Sequence, residues 1–218
     1  MKLGIFVTGT NTGIGKTIVS SLLISSLKSY GIRTGYFKPV QTGLDLDSPT
    51  VVGFTGLPIS KFPDPVYSFP EATAPYRAAL LHDRQIQLDS ILQKWNELDD
   101  RAWVLEGAGG LLVPLTPKHT VREMIQCLGL RLILVSSTKL GTINHTLLSV
   151  EAAKAAGLTV AGIILVGEED PGLESVLMEF SQTRVLARVP QFTNITAEVI
   201  QKEGPEIFPI KVLRELYD

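Results

Sequence analysis

Six short apolar runs, at 3–7, 33–37, 102–105, 131–135, 159–166 and 184–189, constrain the fold of this chain more than any other feature. Stretches such as Leu132-Ile133-Leu134-Val135 and Val160-Ala161-Gly162-Ile163-Ile164-Leu165-Val166 are continuously hydrophobic and do not alternate. A strand reads this way when both of its faces are buried, the situation of a parallel sheet with helices on either side. Helical patterns fall between the runs, at about 16–30, 86–98, 120–128, 143–156, 171–181 and 206–217. Gly31 follows the first of them as a stop signal. The alternation predicts an α/β fold, a single doubly wound, mostly parallel sheet with helices on both faces and ligands at the carboxyl ends of the strands.

At 218 residues, one domain spanning the chain is expected. Hydrophobic residues make up 44% and charged residues 19%, which excludes a disordered chain. A formal net charge of −2 gives no general attraction for nucleic acid or anionic membrane, and neither is expected as a partner. Cys127 is the only cysteine, and His82, His119 and His145 lack ligand spacing, so a thiolate or histidine metal site is not expected. No apolar run reaches the ~18 residues of a membrane span. The chain opens directly on a strand, leaving no room for a signal peptide, and a cytoplasmic location is expected. The stretch 41–80 is least regular. It holds six of the 13 prolines and reads as loops with one short helix near 50–56, an insertion that shapes a substrate site.

Four segments carry chemistry. The first is Gly9-Thr10-Asn11-Thr12-Gly13-Ile14-Gly15-Lys16-Thr17, directly after the first apolar run. It is a phosphate-binding loop: backbone N–H groups wrap polyphosphate oxygens and a helix starts with its positive end toward them. Lys16 would reach the terminal phosphates and Thr17 would hold Mg²⁺. Thr10 stands where the usual G-x-x-x-x-G-K-[ST] pattern has Gly, so the spacing from Gly9 is one residue longer. The second segment is Lys38-Pro39-Val40-Gln41-Thr42-Gly43 at the end of the second strand. Lys38 there either neutralises charge on a phosphoryl or carboxylate group or is a plain surface lysine. Lys16 and Lys38 are both expected to be exposed in the crevice, so that alanine at either position leaves folding intact. The third is Glu106-Gly107-Ala108-Gly109-Gly110, where an acidic strand end beside a phosphate loop suits a Mg²⁺ ligand and the glycines allow close backbone approach. The fourth runs from Ser136 to His145 and passes from a strand into a helix. Asn144 can pair with an adenine edge or serve as a cap, and the helix start can take a carboxylate.

Together, in this order and spacing, the four segments resemble the dethiobiotin synthetases. The longer spacing from Gly9 to Lys16 is that family's own form of the loop. The resemblance implies a homodimeric enzyme that takes ATP, Mg²⁺, CO₂ and 7,8-diaminononanoate. It implies ATP contacts from Thr12, Gly13, Ile14, Gly15, Lys16, Thr17, Ile18, Glu106, Gly107, Ala108 and Gly109, and adenine contacts from Asn144 and Val189-Pro190-Gln191. Lys16 and Lys38 are the implied catalytic cations, Thr42 and Gly110 face substrate, and Thr17, Glu106 and an Asp hold Mg²⁺. By counting, the family's Asp falls near Ser48-Pro49, so Asp47 is the candidate here with Asp45 behind it. Three further positions depart from the family: Gly13 replaces a common Glu, Pro75-Tyr76 replaces a Pro-His pair, and Gly167-Glu168 stands where an Asn is frequent. Two rivals remain. A partitioning or septum-positioning switch ATPase would carry a second lysine early in the loop, where this chain has Asn11, Thr12 and Gly13. An amidating synthetase related to cobyrinate synthesis would add a glutaminase domain with a catalytic Cys.

Overall fold

A computed structural model describes residues 2–44 and 47–217. Each expected apolar run becomes a strand: β1 Leu3–Gly9, β2 Thr34–Phe37, β5 Ala102–Glu106, β6 Arg131–Ser137, β7 Val160–Val166 and β8 Val185–Val189. They form one sheet in the order β2-β5-β1-β6-β7-β8, every neighbouring pair parallel. Successive side chains of a strand point to opposite faces, and both faces here are covered. Ile5, Val7, Val104, Ile133 and Val135 pack on one side with Leu22, Leu23 and Ile24 of α1 (Lys16–Ser29), Ile200 of α8 (Ala197–Ile207) and Leu213 of α9 (Ile210–Tyr217). Phe6, Leu105, Leu132 and Leu134 pack on the other with α4 (Leu88–Glu97), α5 (Val121–Leu128), α6 (Thr142–Ala155) and α7 (Pro171–Ser181). Two cores on one sheet explain the lack of alternation in the sequence.

Two regions depart from the sequence reading. The helix expected over 206–217 is α9, which starts at Ile210, and α8 (197–207), set apart from it by Phe208 and Pro209, was not expected. Gly204 and Pro205, poor helix formers, sit in the last turns of α8 and mask its pattern. Gly204 is required by packing: a Cβ there would lie 2.7 Å from the Leu22 carbonyl oxygen of α1. The stretch 41–80 is more regular than expected. It contains β3 (Val40–Thr42) and β4 (Tyr67–Phe69), paired with each other outside the main sheet, besides α2 (Asp47–Thr55) and α3 (Pro75–Leu81). Three-residue strands are too short to show a period, and the proline that opens α3 occupies the first helical turn, where its missing N–H costs nothing.

Candidate active site

The register of the sheet assembles the site. In β2 and β5, Phe37 lies opposite Leu105, so Lys38 and Glu106 leave adjacent strands side by side. In β1, Val7 lies opposite Glu106, and the phosphate loop begins two residues later. The loop turns into α1 at Gly15, whose φ of 98° is left-handed and open to glycine at little cost. The glycine turn after β5 presses against this loop. A Cβ at Gly110 would lie 3.1 Å from the Gly9 carbonyl oxygen and 3.3 Å from that of Thr10.

Four charged or polar groups from four elements converge at this point. Thr17 Oγ1 at the start of α1 lies 2.8 Å from Asp47 Oδ1 at the start of α2 and 3.0 Å from Glu106 Oε1. Lys38 Nζ lies 2.5 Å from Asp47 Oδ2 and 3.2 Å from Glu106 Oε1. Lys16 Nζ donates to the Asn11 carbonyl of its own loop at 2.9 Å. Contrary to expectation, neither lysine is exposed: Lys16 is 7% and Lys38 4% accessible. Both sit in the angle between sheet and α1, where the stems are packed and the ammonium groups need partners. Burial pushes Lys16 down to about 8, Glu106 opposing and Lys38 reinforcing the shift. Burial also acts to lower Lys38, yet the Glu106 and Asp47 carboxylates outweigh it and its ammonium is held above the usual value.

Thr17, Asp47 and Glu106 suit a small hard cation. All three donors are oxygens, and the Thr17 hydroxyl has one proton for two facing carboxylates, so one of its two close contacts holds no hydrogen bond at any moment. Among the described residues no group of three or more His, Cys, Asp or Glu could hold a metal. An all-oxygen set with two carboxylates matches Mg²⁺, which binds through one or two carboxylates and completes its shell with phosphate oxygens and water. Asp45 lies outside the described residues.

These residues open onto one cavity of about 590 Å³. Of the expected positions, Thr12, Gly13, Gly15, Lys16, Thr17, Ile18, Lys38, Thr42, Asp47, Glu106, Ala108 and Gly109 line it. Gly107 and Gly110 do not, and Ile14 packs against the α1-side core, filling the space that Gly9 leaves. Asn144 is exposed on the first turn of α6, and Pro190-Gln191 follow β8, all outside this cavity. Val189 has its side chain wholly in the core, and its carbonyl accepts from the Gly167 N–H at 3.0 Å.

The sequence reading did not single out three features. Ala72, Thr73 and Ala74 form a cavity wall with Pro75 and face the phosphate loop. Their only signal was their place in the long insertion. Val113 of the loop after the glycine turn also lines the cavity. The third is a pair of hydroxyls on the far oxygen of Glu106: Ser20 Oγ at 2.9 Å and Tyr36 OH at 3.0 Å. Tyr36 precedes Lys38 by two residues, and strand periodicity places both on one face.

A parallel sheet whose first strand feeds a glycine-rich loop into a helix, with Lys-Thr at the helix start and an acidic strand end beside it, defines the P-loop nucleotide-binding class. The MinC:MinD cell division complex of Aquifex aeolicus contains a chain with this fold, similar at a TM-score of 0.58 and 9% identity over 98% of this chain and 92% of that one. A family model described as an AAA domain matches residues 3–199. The ATP-dependent dethiobiotin synthetase of Nitrobacter hamburgensis is 37% identical over 212 residues, 96% of each chain. That of Agrobacterium fabrum is 35% identical over 210 residues, 95% of each chain. The chain belongs to the dethiobiotin synthetase family.

Proposed function

We propose that the chain uses ATP and Mg²⁺ to carboxylate 7,8-diaminononanoate and close it to dethiobiotin, releasing ADP and phosphate. The observation that carries this reading is one cavity in which a phosphate loop, two buried lysines and an oxygen cluster meet, in a chain 37% identical to an ATP-dependent dethiobiotin synthetase over 96% of its length.

One amine of the substrate attacks CO₂, forms a C–N bond and loses a proton, giving a carbamate. A carbamate oxygen attacks the γ-phosphorus of ATP in line and ADP departs. The second amine then attacks the carbonyl carbon of the mixed anhydride, phosphate leaves and the cyclic urea is closed. Every step gathers negative charge, so the work of the protein is placement and neutralisation. The phosphate loop from Thr12 to Ile18 holds the polyphosphate, and Lys16 exchanges the Asn11 carbonyl for phosphate oxygens. Lys38 sets a fixed positive charge against the carbamate and the γ-phosphoryl group. Thr42 contacts substrate and backbone N–H groups of the 107–110 turn contact substrate or phosphate, while Asn144 and Val189-Pro190-Gln191 hold adenine. Thr17, Asp47 and Glu106 would hold Mg²⁺, which supplies charge neutralisation for the phosphates. No protein nucleophile is needed. We read the chain as one cytoplasmic domain acting as a homodimer. The exposed Leu140, Ile143 and Leu148 at and before the first half of α6 support a second copy as partner.

Purified protein given 7,8-diaminononanoate, bicarbonate and MgATP is expected to form dethiobiotin and phosphate in equal amounts. Absence of both products would falsify the reading. The same assay with CTP and GTP measures base selectivity.

A further inference from the structure

The two oxygens of Glu106 live in different surroundings. Oε1 faces Thr17 Oγ1 at 3.0 Å and Lys38 Nζ at 3.2 Å, toward the cavity. Oε2 accepts from Ser20 Oγ at 2.9 Å and Tyr36 OH at 3.0 Å, inside the layer between α1 and the sheet. Ser20 lies one turn along α1 from Thr17. Tyr36 stands on β2 opposite Val104, two residues before Glu106 on β5, so the phenol and the carboxylate share a face of the sheet. Tyr36 is completely buried, and its ring meets Phe62 at a centroid distance of 5.9 Å. Phenylalanine would fill that volume without carrying a polar atom into the core, so packing alone does not account for the hydroxyl.

We infer that Tyr36 is a positioning residue of the cation site: with Ser20 it holds Glu106 Oε2 from behind and so turns Oε1 toward Thr17, Asp47 and the bound ion. The inference rests on the reading of Thr17, Asp47 and Glu106 as cation ligands. Without the phenol, the carboxylate keeps one donor at Oε2 and is free to rotate about its last bond toward Lys38 or away from the cavity. Two donors on Oε2 also fix where the carboxylate charge is used, since hydrogen-bonded ligands of a metal depend on such outer partners for orientation.

The test uses Tyr36→Phe, with Mn²⁺ as the probe ion and a non-hydrolysable ATP analogue. Electron paramagnetic resonance of free Mn²⁺ reads ion binding to the protein–analogue complex. Calorimetry in EDTA reads the analogue alone. Tyr36→Phe is expected to weaken Mn²⁺ about ten-fold and to leave analogue affinity in EDTA within about twofold. Its turnover should recover at high Mg²⁺. Mn²⁺ affinity within about twofold of the parent protein overturns the inference, and so does an equal loss of analogue affinity in EDTA, which marks a general distortion. If Tyr36→Phe does not fold, Ser20→Ala removes the other Oε2 donor and is held to the same outcomes. If the parent complex itself binds no Mn²⁺, the cation site falls and the role of Tyr36 falls with it.

Discussion

Replacing Lys38 by alanine should destabilise the metal-free protein as well as stop catalysis. The ammonium is 4% exposed and is shared by Asp47 at 2.5 Å and Glu106 at 3.2 Å. Deleting it leaves two adjacent carboxylates, that of Glu106 only 1% accessible, with no countercharge in direct contact. Breaking a buried ion pair from one side costs about 3–5 kcal/mol. Because the Asp47 side chain is 24% exposed, water recovers part of that cost and the lower end applies, about 3 kcal/mol. For a chain of 218 residues this lowers the melting temperature by about 6–12 °C. Differential scanning calorimetry in EDTA measures it. Adding millimolar Mg²⁺ should recover more of the loss in Lys38→Ala than the same ion adds to the parent, because the cation replaces the missing positive charge between the same carboxylates. Lys38→Met separates charge from volume, since it keeps most of the stem and lacks the ammonium. The reasoning fails if Lys38→Ala melts with the parent in EDTA, or if Lys38→Met restores the lost stability without metal.

The free protein should take up protons when it binds nucleotide. Lys16 is held at about 8 against an ordinary 10.5, so the cost of its buried charge is fully present below about 8 and is relieved as pH rises toward 10.5. A phosphate partner restores the charged form. At pH 8, calorimetry in buffers of different ionisation enthalpy is therefore expected to show uptake of about half a proton per MgATP analogue bound, and Lys16→Met to show none. The same linkage makes the stability of the metal-free parent rise with pH across that window, a slope that Lys16→Met lacks. At the helix crossing, Gly204→Ala drives a Cβ to within 2.7 Å of the Leu22 carbonyl and should cost about 1–3 kcal/mol in urea unfolding.

Much of this fold and site could be read from local signals, and the failures have physical reasons. The six sheet strands are continuous apolar runs because both faces of the sheet are covered, so a window of a few residues finds them. The phosphate loop is legible because strand, glycines and Lys-Thr are contiguous. Counting along the insertion reached Asp47, and the geometry places it with Thr17 and Glu106. The burial of Lys16 and Lys38 was not legible, because it is created by β2 and β5 lying side by side although some sixty residues separate them in sequence. Tyr36 looked like one more apolar strand residue until the register set it beside Glu106. Helix α8 was hidden because Gly204 answers to its contact with α1 and not to helix propensity.

The placement of β1 has a consequence for how the chain acquires its fold. This strand, made before every other strand of the sheet, is a central one: its partners are β5, from Ala102, and β6, from Arg131. Each bond that fixes the base of the phosphate loop thus closes a segment of about a hundred residues or more, the kind of contact that slows folding most. On the ribosome, Leu3–Gly9 waits without a sheet neighbour while β2, also dependent on β5, waits with it. Nucleotide-binding competence should therefore arrive in one step, late, once Glu106 and Ser137 have both been added.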